Sequence, residues 1–215
     1  MNIIYYNDDT YPEKLRRIYA PPQKLYIIGN DKILNEKGIA IIGCRKPSKY
    51  GIEMAYKFAY GLSKRGINVI SGLARGIDSY SHLGALHAKR KTIGVLGSGL
   101  NNIYPSENKK LCLEIIKNGG AIITEYEPKE KPLAMNFPAR NRIISGLSEG
   151  ILVIEAKQKS GTLITVDHGL DQGKDIFVIP GNITSENSYG TNELIKQGAK
   201  LVTNIEEIIE EIEKI

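Results

Sequence analysis

Ile67-Asn68-Val69-Ile70-Ser71-Gly72-Leu73-Ala74-Arg75-Gly76-Ile77-Asp78 is an apolar run that breaks into a glycine-rich loop. A helical pattern over 76–89 follows, then a second apolar run at Thr92–Leu96. Strand, loop, helix and strand in that order form one crossover unit, and such units build parallel sheets with right-handed connections. The same alternation extends in both directions. Runs at Ile39–Gly43, Ile67–Ser71, Thr92–Leu96, Ala121–Thr124, Ile151–Glu155 and Ile176–Ile179 read as strands, with a shorter one near Lys200–Thr203. Their Ile and Val content, without strict alternation, suits strands covered on both faces. Helical patterns at 49–65, 76–89, 106–118, 138–148, 162–172 and 191–197 supply the covers. The expected fold class is α/β, a mostly parallel sheet with helices on both faces.

Residues 1–38 differ: they are tyrosine-rich and carry Pro12, Pro21 and Pro22. They read as a short helical or irregular arm packed on the sheet, with one edge strand at Leu25–Ile28. At 215 residues the chain is expected to form one large domain that buries a substantial core. The net charge of +5 is unevenly spread. Asn204–Ile215 holds five glutamates and one lysine, so the rest carries 28 basic and 19 acidic side chains. That excess suits a polyanionic partner. The tail itself reads as an amphipathic helix with Ile205, Ile208, Ile209 and Ile212 inward.

In open parallel sheets, ligands bind outside the carboxyl ends of the strands. Each predicted strand here runs into a small, polar loop at that end. These are Gly43-Cys44-Arg45-Lys46-Pro47-Ser48, Ser71–Asp78, Gly97-Ser98-Gly99, Lys159-Ser160-Gly161-Thr162 and Pro180-Gly181-Asn182. Glycine allows close backbone approach, and the following helix starts supply N–H groups that favour anions. With Arg45, Arg75, Arg140 and Arg142 added, the loops read as a phosphate-binding crest. Asn136-Phe137-Pro138-Ala139-Arg140-Asn141-Arg142-Ile143-Ile144 contributes most to it. Pro138 suits a first helical position, Ile143, Ile144 and Leu147 dock the helix, and its polar start is presented. Guanidiniums there favour phosphate, and the Phe137 ring offers a face on which a base can stack. The alternative is a core staple at Phe137, with the arginines paired to carboxylates such as Glu125 or Glu149.

Other chemistries find little support. Neither the dinucleotide pattern G-x-G-x-x-G nor the phosphate loop G-x-x-x-x-G-K-[ST] is present, so no ATP, NAD or other cofactor is expected. His82, His87 and His168 lack zinc-ligand spacing and read as surface or packing residues. Ser71, Ser98 and Ser160 lack a nucleophile elbow. Asp78 reads as a helix N-cap. Glu125, Glu155 and Asp167 can meet at the crest, where Glu125 and Glu155 are expected to hold arginines by ion pairing. Cys44 and Cys112 fit neither a disulfide framework nor a zinc cluster, which points to a reducing cytoplasm. There is no apolar run of membrane-spanning length and no signal-peptide pattern at the start.

Taken in order, the motifs resemble the DNA-processing protein A (DprA, also called Smf) family of bacteria. The matching segments include Pro21-Pro22-Gln23-Lys24-Leu25-Tyr26, Ile41-Ile42-Gly43-Cys44-Arg45 and Ser71–Asp78. They continue through Tyr104-Pro105-Ser106-Glu107-Asn108, Phe137–Ile144, Ser160-Gly161-Thr162-Leu163-Ile164-Thr165 and Gly190-Thr191-Asn192-Glu193-Leu194-Ile195. The resemblance implies an extended Rossmann-like core that binds single-stranded DNA without catalysis. It also implies a homodimer that protects incoming DNA during natural transformation and loads a RecA-type recombinase onto it. Cys44 stands where the family often has Ser or Thr. The sequence stops at Ile215, without the carboxy-terminal winged-helix-like module of many members, so that module's contribution is not expected here.

On this reading Arg45, Arg140 and Arg142 clamp phosphates, helped by backbone N–H groups of Gly43, Ser160 and Gly161. Phe137 stacks on a base, Asn141 bonds a base or braces the loop, and Lys46 and Arg75 flank. A second reading is a nucleotide-binding protein without turnover, or a phosphoribohydrolase of the LOG type, acting on mononucleotides. The glutamate of its G-G-x-G-T-x-x-E pattern is replaced here by Thr165, which has no carboxylate to offer.

Overall fold

The computed structural model describes residues 1–214. Its centre is one nine-stranded sheet ordered β1-β2-β6-β5-β4-β3-β7-β8-β9. The strands are β1 Asn2–Tyr5, β2 Lys24–Gly29, β3 Gly38–Ile42, β4 Asn68–Ser71, β5 Thr92–Val95, β6 Ala121–Thr124, β7 Gly150–Val153, β8 Asp175–Val178 and β9 Lys200–Leu201. From β6 to β9 every neighbour pair is parallel. The helices are α1 Glu13–Arg16, α2 Lys49–Lys64, α3 Ile77–His87, α4 Lys109–Lys117, α5 Asn136–Leu147, α6 Gly161–Asp171, α7 Tyr189–Lys196 and α8 Glu206–Ile212. The architecture is the expected α/β fold, Rossmann-like in its central strands.

Why these runs form a doubly covered sheet is visible residue by residue. Along a strand, successive side chains point to opposite faces. In β3, Ile39 and Ile41 enter a core shared with Ala55, Phe58 and Leu62 of α2, Ala85 of α3 and Ile208 of α8. Ala40 and Ile42 enter the opposite core with Ile143, Ile144 and Leu147 of α5 and Val166 of α6. A third cluster joins Leu73 and Leu96 to Cys112 and Ile115 of α4. Both faces of β3 are dry, so its sequence shows no alternation.

The order of strands creates the site. The chain steps outward from β3 through β4, β5 and β6, returns through α5, and resumes on the other side of β3 with β7, β8 and β9. The direction of winding therefore reverses between β3 and β7, and their carboxyl ends diverge into loops on opposite faces.

Three expectations are corrected in detail. The arm strand lies inside the sheet: β2 pairs antiparallel with both β1 and β6, and β1 is the edge. The reason is that Leu25 and Ile27 bury on one face and Tyr26 on the other, whereas β1 buries only Ile4. Helix α5 starts at Asn136, so Pro138 occupies its third position. The first-turn N–H groups have no intrahelical partner, so a proline there costs no hydrogen bond. Asp78 lies inside α3, whose N-cap is Gly76 at φ +75°. The tail helix buries Ile208, Ile209 and Ile212 as expected.

His82 is fully buried, a packing histidine. The Thr92 hydroxyl donates to the Val69 carbonyl at 2.6 Å, so it can only accept from His82 Nδ1, 2.8 Å away. The proton therefore sits on Nδ1, and Nε2 is enclosed without a partner. Burial pushes the imidazole pKa down to about 3. A base depressed on folding binds fewer protons in the native state, so stability is lost as pH falls from about 6.5 towards 3. Lowering the pH from 7 to 5 is expected to cost on the order of 2 kcal/mol through this group. Urea unfolding of the wild type and His82→Leu at both pH values checks it: the substitution should flatten the slope, and equal slopes would remove His82 as the cause.

Candidate functional site

A crevice of about 800 Å³ opens where the winding reverses. The β3–α2 loop forms one wall with Gly43, Arg45 and Lys46. The β7–α6 loop forms the second with Lys157, Lys159, Ser160 and Gly161, and the start of α5 forms the third with Phe137, Arg140 and Asn141. The lining holds five basic residues (Arg45, Lys46, Arg140, Lys157, Lys159) and one acid, Asp78. The site is thus built to attract negative charge.

The wall that carries Arg45 and Lys46 is held from below. The buried Glu155 accepts from the Ser48 backbone N–H at 3.0 Å, the Ser48 hydroxyl at 2.5 Å and Asn187 Nδ2 at 3.2 Å. Ser48 Oγ in turn accepts from Gly51 N at 3.0 Å and caps α2. A Cβ on Gly51 would lie 2.4 Å from the Glu155 carboxylate, which explains the glycine in a first helical turn. The expectation that Glu155 holds an arginine is therefore corrected: it fastens a loop, because Ser48 and Asn187 donate to both its oxygens.

Arg45 and Lys46 themselves are exposed and enter no ion pair among the described residues. The Arg45 guanidinium carbon lies 6.0 Å from the centroid of the Phe137 ring. Tyr104 flanks the same ring at 5.6 Å with a 51° interplanar angle. Phe137 is half-buried, with one edge against Gly97, where an added Cβ would come within 2.8 Å of Cδ1. It is a wall residue rather than a core staple.

The other arginines divide sharply. Arg140 is 5 % exposed, and its Nη1 donates to the carbonyls of Gly72, at 2.9 Å, and Val95. Its guanidinium edge tiles the crevice floor while its donors tie the ends of β4 and β5 together. Burial lowers its pKa to about 10, against the pull of Asp78, so it stays charged at neutral pH. Asp78 accepts from the N–H groups of Gly72, at 3.1 Å, and Ala74, at 3.2 Å. Burial raises its carboxyl pKa, and Arg140 and these N–H groups oppose that.

Arg142 turns away from the crevice. It forms a two-pronged bond to Glu125, at 2.5 and 2.6 Å, and donates to the Ala20 carbonyl of the arm at 2.9 Å. The expected phosphate clamp is corrected on this point, because Arg140 and Arg142, two positions apart on a helix, face different sides. Arg75 grips Glu107 at the protein surface and lines a small cleft that shares Arg45, Tyr104, Phe137 and Arg140 with the crevice, so it stands at the flank of the site. Replacing Arg142 by Ala is expected to cost about 2 kcal/mol through the lost charged hydrogen bonds and to loosen the arm. Limited proteolysis of residues 1–38 reads it; unchanged cleavage would show that the arm is held without it.

At the third wall, Asn141 Oδ1 accepts from Arg140 Nε at 3.3 Å and its Nδ2 reaches the Gly161 carbonyl at 3.5 Å. Asn141 thus braces α5 against the start of α6. Ser160 is the N-cap of α6 without a side-chain cap bond, which leaves first-turn N–H groups facing the crevice. Thr165, where the hydrolase pattern needs a glutamate, is a buried neutral hydroxyl in the wall. Lys157, Lys159 and Tyr104 join the lining although the sequence did not single them out as ligands. The two lysines alternate just beyond a strand end, which was the available signal. Lys157 is shared with Glu186 at 3.0 Å.

Comparison with known proteins gives a consistent picture. A family model described as DNA recombination-mediator protein A matches residues 2–213. "DNA processing protein DprA" of Streptococcus pneumoniae is 44 % identical over 206 residues, covering 96 % of this chain and 72 % of that protein. Its crystal structure superposes with a TM-score of 0.92, covering 98 % of this chain and 74 % of the other. The DNA processing protein A of Helicobacter pylori, whose structure was described for its single-stranded DNA binding mode, gives a TM-score of 0.88 at 33 % identity. It covers 100 % of this chain and 97 % of the other. The chain belongs to the DNA recombination-mediator protein A family.

Proposed function

We propose that the crevice binds single-stranded DNA, with no chemical step. The observation that carries this reading is a half-open aromatic ring set beside an unpaired arginine in a cavity lined by five cations and one buried acid. Cations hold the backbone and a ring holds a base, and neither discriminates base identity. Arg45, Lys46 and Lys159 contact phosphates, the N–H groups of Ser160 and Gly161 and the backbone at Gly43 assist, and Phe137 stacks. Arg140 and Asn141 shape the floor. Arg142 acts outside the site, and Arg75, engaged by Glu107, flanks it. The relative from Helicobacter pylori supports the choice of ligand.

Among the described residues Asp78 is the one acid of the crevice lining, and its carboxylate is occupied by backbone donors rather than free for hydrolysis. In the cell the protein serves as a cytoplasmic homodimer that protects single strands and delivers them to a RecA-type recombinase; family membership supports this role. Among the described residues no helix is long and apolar enough to cross a membrane. Fluorescence anisotropy with oligothymidylate, the matching duplex and thymidine monophosphate as competitor, at two salt concentrations, tests the reading. Expected are tight binding of the single strand, weaker duplex binding, poor competition by the monophosphate and an affinity that falls with salt. Duplex bound as tightly as single strand, or no salt dependence, would overturn it.

A further inference from the structure

Outside the crevice, the surface where α2 meets α3 carries an unusual set of side chains. Tyr56 and Tyr60 lie one helical turn apart with their rings 16° from parallel and 6.2 Å between centroids. His87 of α3 packs against Tyr56 at 5.6 Å, and its Nδ1 is 3.0 Å from the Tyr56 hydroxyl. Lys64 Nζ sits 5.6 Å from the centre of the Tyr60 ring. The rings are brought together because α3 approaches α2 at Gly84, where a Cβ would lie 2.6 Å from the Tyr56 carbonyl.

The charge around these rings is one-sided. Lys57 and Lys64 are exposed and enter no ion pair among the described residues. The same holds for Lys89 and Arg90, just beyond His87. The opposing charge on α2 is Glu53 alone. The acidic helix α8 packs on the other side of α2, where Ile205 meets Gly61 and Arg65 takes Glu206 at 3.0 Å. Cations with no ion-pair partner among the described residues, beside two stacked rings of which Tyr60 is exposed and Tyr56 half-buried, form a surface suited to a flexible polyanion with stacking bases.

Patch and crevice are linked by helix α2, the patch on its second half with Tyr60 about 16 Å from the helix start. Helix α2 begins directly after the loop that carries Arg45 and Lys46, and its 16 residues run about 22 Å along the outside of the sheet. We propose that the α2–α3 face is a second contact surface for single-stranded DNA. It takes nucleotides that leave the crevice past Lys46, with Tyr60 as stacking platform and Lys57 and Lys64 on phosphates. The proposal rests on the crevice binding one end of the strand.

Oligothymidylates of about 6 and about 30 nucleotides, compared by anisotropy across a salt series, separate the two surfaces. The short strand fills the crevice alone; the long one reaches both. Lys57→Glu combined with Lys64→Glu is expected to weaken the long strand about tenfold and reduce its salt slope by at least one unit. The short strand should bind as before. Tyr60→Ala should weaken the long strand severalfold with an unchanged slope, since it removes stacking and no charge. Thermal melting confirms that the variants fold. Long-strand affinity unchanged in all variants would overturn the second surface and leave the crevice standing. Equal losses for both strands would also overturn it, since the patch would then act through the crevice. A wild type that binds neither strand would overturn the crevice reading itself and the proposal with it.

Discussion

Arg140→Ala is expected to destabilise the protein by about 3–5 kcal/mol, the usual consequence of removing one partner from a buried charged network. For a chain of this size, that is a fall in melting temperature on the order of 10 °C. Three groups lose their counterpart at once: the carbonyls of Gly72 and Val95 lose a donor, and the buried Asp78 loses its neighbouring positive charge. Arg140→Lys keeps the charge but not the planar fork, and should recover only part of the loss. Chemical denaturation measures both. A fully stable Arg140→Ala would show that the ends of β4 and β5 are held by packing alone. Weakened DNA binding in this variant is expected as a consequence of the damaged floor, so it carries no information about phosphate contact unless stability is measured beside it.

Arg45→Ala should show the opposite behaviour, a large binding loss with little change in melting, and Phe137→Ala a large binding loss with a moderate fall in melting from its lost packing on Gly97 and Tyr104. Arg45 is exposed and enters no ion pair among the described residues, so removing it strands no buried group there. Its loss should weaken single-strand binding and lower the salt slope by about one unit, as expected for one phosphate contact. Phe137→Ala should cost roughly 1–3 kcal/mol of binding, the stacking of one base, with the salt slope unchanged. The two slopes distinguish a charge contact from a stacking contact in one titration series. Unchanged affinity in both variants would empty the crevice of its proposed role.

Much of the fold was legible because it is written in local pattern. The runs at 39–43, 67–71, 92–96, 121–124, 151–155 and 176–179 all fall on strands, since a doubly buried strand is apolar over most of its length, its few polar side chains bonded to neighbouring carbonyls. Loops at their carboxyl ends were equally visible, because turns need glycine and helix starts need small polar residues. The arm was harder to read. The short β1, with one buried residue in four, leaves almost no periodic signal, yet it makes β2 an interior strand.

Side-chain direction was the part that pattern did not reveal. Arg140, Asn141 and Arg142 are consecutive on α5, and the segment offered three equivalent polar residues. In the fold, one points into the floor, one braces α6 and one reaches Glu125, 17 positions back. Glu155 likewise was expected to meet an arginine and instead meets Ser48, 107 residues away.

A doubly covered, mostly parallel sheet with glycine loops and surplus positive charge at its strand ends could be read from the residues alone. Those properties follow from composition and spacing along the chain. Which cations are left without an ion-pair partner among the described residues was set by packing. A guanidinium is available to a ligand only if no carboxylate or carbonyl lies within reach, and that depends on residues distant in sequence. Packing gave Arg142 to Glu125, Arg75 to Glu107 and Arg140 to two backbone carbonyls, and left Arg45 beside Phe137 at the mouth of the crevice.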